Sequence, residues 1–173
     1  MTTEATTSAT DVRTVVRTYF EALGRRDREA PTNWYAPDGR GRFYGLRDEP
    51  QTREEVQQFF SDLFDAFPDF TLEILDLLVE GDQAAVRWRG TGSFSGSKPF
   101  LGLLPTGQRL DLEGVDIVRV RDGKIARIDA YTDTSEMARQ LGAMPPRDSL
   151  ADKATLGAVN LVTRARQFIQ SRR

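Results

Sequence analysis

The chain has no cysteine and no histidine among its 173 residues. Without cysteine there is no disulfide, no thiolate nucleophile and no thiolate metal site. Without histidine, Ser-His-Asp and Cys-His devices and imidazole-held zinc are excluded as well. Acid–base chemistry then falls to Asp, Glu, Tyr, Lys or a water that they hold. No G-x-G-x-x-G or P-loop string is present, so neither a nucleotide nor any other cofactor is expected, and no metal. No apolar run approaches the length of a membrane span. The opening MTTEATTSAT lacks both a basic region and a hydrophobic segment. Residues 1–10 therefore read as a disordered tail rather than a signal peptide, and the expected location is cytoplasmic.

What is present is ordinary for a globular protein: 39% hydrophobic residues, 29% charged, and a net charge of −2. That balance offers little to a nucleic acid or an anionic membrane, so neither is expected as a partner. The length suits one domain with a proper core, over residues 11–142, followed by a helical extension over 143–173.

Thr10 and Asp11 mark a helix start, with Val12, Val15, Val16, Tyr19 and Leu23 on one stripe and Gly24 at its end. A short segment around Trp34 stops at APDGRG, which reads as a turn cluster holding Asp38. Thr52 to Glu55 form a capping box that opens a helix with an aromatic face of Phe59, Phe60 and Phe67. Strands follow: FTLEILDLLVE, then AAVRWRGTGSF after a turn. A Gly/Pro-rich loop leads to QRLDLEGVDIVRV, the Asp122-Gly123 turn and KIARIDAYTD. Asp133 is placed to cap the short helix SEMARQL. Ser149 and Asp152 cap a last helix, expected over Ala151–Gln170 and docked through Leu161, Val162 and Ala165. Helices first and an antiparallel sheet afterwards define an α+β fold.

Side chains alternate along a strand, so Leu110, Leu112, Gly114, Asp116, Val118 and Val120 share one face. Asp116 is the one ionisable group on that apolar stripe. A carboxyl desolvated there has a raised pKa, and a neutral carboxyl can donate a hydrogen bond. The structural alternative is that Asp116 only satisfies backbone amides or pairs with an arginine. Trp34, Tyr35, Phe43, Phe59, Phe60, Trp88, Phe94 and Phe100 are the aromatics available to line a pocket, or simply to fill the core. Arg87 and Arg89 read as a solvated face.

The register of the last hairpin decides what Asp116 meets. If the loop closes with an extra, bulged residue, Asp116 faces Ala130 and Val118 faces Ile128. If Asp122-Gly123 is a plain two-residue turn, Asp116 lies opposite Asp129 and Val118 opposite Arg127, and Arg127 comes to the apolar face. Burial favours the bulged form, because a one-residue slip turns every side chain over.

The strings FLGLLPTGQRL, VDIVRVRDGKI and YTDTSEMARQLG resemble the SnoaL-like polyketide cyclases. These belong to the nuclear transport factor 2-like superfamily, with ketosteroid isomerases and limonene epoxide hydrolases. The resemblance spans about residues 11–142. It implies a cone: a curved antiparallel sheet wrapped around N-terminal helices, with a pocket inside. It also implies a small apolar or polycyclic ligand, and a homodimer.

Residue by residue, Tyr19 falls where the isomerases keep an oxyanion-hole tyrosine, and Asp116 where they keep a protonated aspartic acid. The cyclases usually have histidine at the Asp116 position. The isomerase base falls at or near Phe43. The cyclase acid–base aspartate, and that of the epoxide hydrolases, falls at Ala130. The resemblance thus implies a cofactor-free enzyme that stabilises an enolate. Its catalytic candidates are Asp116 and Tyr19, and its ligand-binding candidates are Trp34, Phe43, Phe59, Phe60, Trp88 and Phe100. A binding or assembly protein of the same fold, or an epoxide hydrolase, are the alternatives, since both expected base positions are apolar.

Overall fold

The computed structural model describes residues 9–170. Most of the expected 1–10 tail lies outside the described residues. Helix α1 runs Ala9–Gly24, starting one residue ahead of Thr10, and a short α2 spans Ala30–Trp34. Strands β1 (Tyr35–Tyr44) and β2 (Gln51–Thr52) precede α3 (Arg53–Ala66). The long strands are β3 (Thr71–Glu80), β4 (Gln83–Ser93), β5 (Arg109–Arg121) and β6 (Lys124–Thr132). Helices α4 (Thr134–Gln140) and α5 (Leu150–Gln170) follow.

The sheet has the order β2-β1-β6-β5-β4-β3. It is open and mixed, because β1 pairs with β6 in parallel while the other pairs are antiparallel. The expectation of a wholly antiparallel sheet is corrected at that one seam. Through Pro37, Asp38, Gly39 and Gly41 the sequence of β1 reads as a turn, yet it is a strand. Those glycines serve close approach instead. A Cβ on Gly39 would sit 2.7 Å from the Ile125 carbonyl oxygen, and one on Gly41 would sit 2.7 Å from a Val56 methyl. Bare backbone there lets β1 lie between β6 and α3.

The inner face of the sheet packs on α1 and α3. In β5 every second residue from Leu110 to Val120 is buried, as alternation requires. Helix α3 begins with the expected reciprocal cap between Thr52 and Glu55. The Asp133 carboxylate accepts from the Glu136 amide at 2.8 Å and caps α4. On the outer face Arg87 bonds Asp76 and Glu113, and Arg89 bonds Asp111, a solvent-facing ladder worth little individually.

In the β5–β6 hairpin, Asp116 pairs with Ala130 and Val118 with Ile128. The extra residue is not in the turn. Arg121 pairs with Lys124 around a plain two-residue turn, where Asp122 and Gly123 both take positive φ. The register shifts further along, between Arg119 and Val120, which leaves Ala126 as the bulged residue of β6. A tight turn and an apolar-in register thus coexist.

Helix α5 forms, and Ser149 Oγ accepts from the Asp152 amide at its start. Its expected docking is corrected: Leu161 and Val162 are 70% and 51% exposed. The side chain of Ala165 lies outside those described. Caps and good helix formers make the helix, while the body of the domain offers Leu161 and Val162 no cover. Among the described residues no helix is long and apolar enough to cross a membrane.

Candidate functional site

Between the inner sheet face and the two packing helices lies an apolar cavity that opens to solvent. Helix α1 contributes Tyr19, Phe20 and Leu23, and α3 contributes Phe59, Phe60 and Leu63. The sheet supplies Tyr35, Phe43, Trp88, Leu112, Asp116, Ile128, Ala130 and Thr132, and Phe100 and Met137 complete the wall. The phenyl rings pack on one another: Phe43 stacks on Phe59 at 4.5 Å, and Phe59 leans on Phe100 at 5.6 Å.

Asp116, Tyr19, Tyr35, Thr132 and the Trp88 indole are the polar side chains in this largely apolar lining. Asp116 is 8% exposed and has no arginine partner among the described residues. Burial pushes its carboxyl up to about 7, opposed by the Trp88 Nε1–H, which donates to Oδ1 at 2.8 Å. Around neutral pH it therefore exists in both forms, with the neutral one able to donate. Tyr19 and Tyr35 sit edge to face at 5.7 Å between ring centres. Burial raises the Tyr19 phenol well above the usual tyrosine range, and the neighbouring Tyr35 and Asp116 raise it further. Tyr35 is raised chiefly by burial too, while its hydrogen bond with Tyr19 works the other way. Both phenols remain protonated donors.

One row across the sheet brings the positions of interest together. Phe43 pairs with Ala130, Ala130 with Asp116, and Asp116 with Val86. Asp129, one residue along, points away and is held by Arg127 through two hydrogen bonds of 2.6 and 2.8 Å.

Asp116, Tyr19, Phe43, Phe59, Phe60, Trp88 and Phe100 thus share one cavity, as the sequence reading grouped them. Trp34 does not belong with them. It packs outside the cavity with the Lys124 ammonium 5.9 Å from its ring centre. Phe94 is core, stacked on Phe67 at 5.0 Å. The reading missed the Tyr35 hydroxyl, the Trp88 N–H and Thr132 as polar contributors. Tyr35 stood just before a supposed turn, and a tryptophan gives no sequence signal of where its N–H points. Among the described residues no cluster of Asp and Glu is arranged to hold a metal ion.

The profile of the SnoaL-like polyketide cyclase family matches residues 13–141, and the chain belongs to that family. No curated protein sequence matches it. Among solved structures it is similar to a proposed SnoaL-like polyketide cyclase from Jannaschia sp. CCS1. That pair has TM-score 0.69 and 27% identity, over 79% of this chain and 94% of the other. It is also similar to IdmH, a proposed polyketide cyclase from Streptomyces antibioticus, with TM-score 0.65 and 28% identity over 76% and 98%. AclR from Streptomyces galilaeus, described as a candidate hydroxylase, shares the fold at TM-score 0.71 and 22% identity, over 92% and 98%.

Proposed function

We propose that this protein is a cofactor-free enzyme that binds a small, largely apolar carbonyl compound and stabilises its enolate. Tyr19 and the neutral form of Asp116 donate hydrogen bonds to the developing oxyanion, and the aromatic wall holds the rest of the molecule. The reaction class is isomerisation or intramolecular aldol cyclisation. The observation that carries this reading is that Asp116 and Tyr19 open onto the same apolar cavity. Family membership, and cyclases among its structural relatives, support it from a second side.

Among the described residues, Asp116 is the only carboxylate lining the cavity. A substrate suited to this site carries a C–H already acidified between two carbonyls, so that solvent at the open mouth takes the proton. The C–H bond breaks, its electron pair moves onto the carbonyl oxygen, and the donors hold that charge until the new bond forms.

A second reading follows from Phe43 and Ala130. Both positions at which the resemblance expects a base are apolar and adjacent. This favours a protein that binds such a ligand without converting it. A panel of 1,3-dicarbonyl and unsaturated ketone substrates, assayed with no added cofactor, separates the two. Turnover lost in Asp116→Leu supports the enzyme, whereas binding with no turnover supports the carrier.

A further inference from the structure

We propose that Trp88, seated on the bare backbone of Gly114, is a positioning residue that fixes which oxygen of Asp116 meets the ligand. Trp88 and Gly114 are partners across β4 and β5, with Asp116 two residues beyond Gly114 on the same face. A Cβ on Gly114 would fall inside contact distance of three atoms of the indole six-membered ring, two of them at 2.8 Å. A Cβ on Gly90 would make only ordinary contact with the same ring, at 3.5 Å. Gly114 is thus the glycine that leaves the space in which the indole lies. That pose carries its N–H to Asp116 Oδ1 at 2.8 Å.

The chemistry of the indole makes this contact directional. An indole N–H only donates, so Oδ1 is always an acceptor. When the carboxyl is neutral, its proton sits on Oδ2, and Oδ2 makes no other hydrogen bond among the described residues. The Oδ2–H is then the group that a substrate oxygen meets. When the carboxyl is ionised, the same N–H stabilises the charge and keeps Asp116 from pairing elsewhere. The consequence for substrate rests on the enolate reading above, but the placement of Trp88 does not, and it is tested without a substrate.

The chain has two tryptophans, Trp34 and Trp88, so ¹⁵N-labelled protein gives two indole N–H resonances. The Trp88 resonance should move with pH at the midpoint of the Asp116 carboxyl, followed in parallel by ¹³C labelling of aspartate. The Trp34 resonance should stay flat, and Asp116→Asn should abolish the movement. In Trp88→Phe the Asp116 midpoint should rise by about one pH unit, because a hydrogen bond to the ionised form is gone. Gly114→Ala, which keeps the indole but displaces it, should raise the midpoint in the same direction. A Trp88 resonance indifferent to pH in the wild type would overturn the proposal, with no variant needed. So would an unchanged Asp116 midpoint in folded Trp88→Phe. Either result would leave the enolate reading standing, whereas a substrate panel without turnover would leave the Trp88 assignment standing.

Discussion

Asp116 and Ala130 face each other across β5 and β6, both buried and both lining the cavity. The position where the cyclases carry a carboxylate by resemblance is therefore one strand away from the carboxylate this chain has. Ala130→Asp should place two carboxyls on one site, and like charges that close hold one proton between them near neutral pH. The variant should cost about 2 kcal/mol of stability at pH 8 and less at pH 5, where protonation relieves the repulsion. Denaturant titration at the two pH values checks this. The same variant should gain acid–base turnover of carbonyl or epoxide compounds relative to wild type.

Asp116 also makes stability depend on pH. Its carboxyl is raised from 3.8 unfolded to about 7 folded. Between those values the folded state holds a proton that the unfolded state has released, so stability falls as pH rises. The contribution is complete below the unfolded value and is lost as pH passes through about 7. Asp116→Asn removes the ionisation and should flatten this part of the curve. The variant should overtake wild type in stability above neutral pH, by an amount on the order of 4 kcal/mol at most. Equilibrium unfolding from pH 4 to pH 9 measures it.

The readable part of this site was the part written in a period. Strand β5 alternates so cleanly that Asp116 stood out as an ionisable residue on an apolar face, and burial alone chose its partner, Ala130. Strand β1 was unreadable for a physical reason. Its Pro37, Asp38, Gly39 and Gly41 disfavour strands locally, and only pairing with β6 and close packing on Val56 make them one. The Trp88–Asp116 bond and the Tyr19–Tyr35 pair depend on side-chain directions between separate elements, and no local pattern encodes these. Helix α5 was legible as a helix from its caps and stripe. That Leu161 and Val162 are left exposed is a tertiary fact.

Because Leu161 and Val162 are exposed, the domain should not need α5 to stay folded. A chain ending at Asp148 should melt within about 2 °C of the full-length protein and keep the same near-ultraviolet signature of packed aromatics. A larger drop in Tm would mean that the helix is held by contacts with the domain or with another copy.

Tyr19 and Tyr35 should differ in their effect on an oxyanion ligand. A naphthol is a suitable probe, because its bound oxygen mimics an enolate and its fluorescence reports ionisation. Tyr19→Phe should weaken binding by about tenfold, the loss of one donor to a charged oxygen. Tyr35→Phe should cost less, acting only through its contact with Tyr19. Equal losses would indicate that both phenols touch the ligand directly.

Enolate stabilisation in this cavity is expected to run through Asp116. The most direct measurement is exchange of the α-protons of a bound 1,3-dicarbonyl ketone with D₂O, followed by ¹H NMR, which registers enolisation whatever product is formed. Wild-type protein should accelerate exchange, and Asp116→Leu, with its ligand still bound, should reduce that acceleration by about a hundredfold or more. Exchange in Asp116→Leu equal to that of wild type, or no acceleration by wild type of a ketone shown to occupy the cavity, would contradict it.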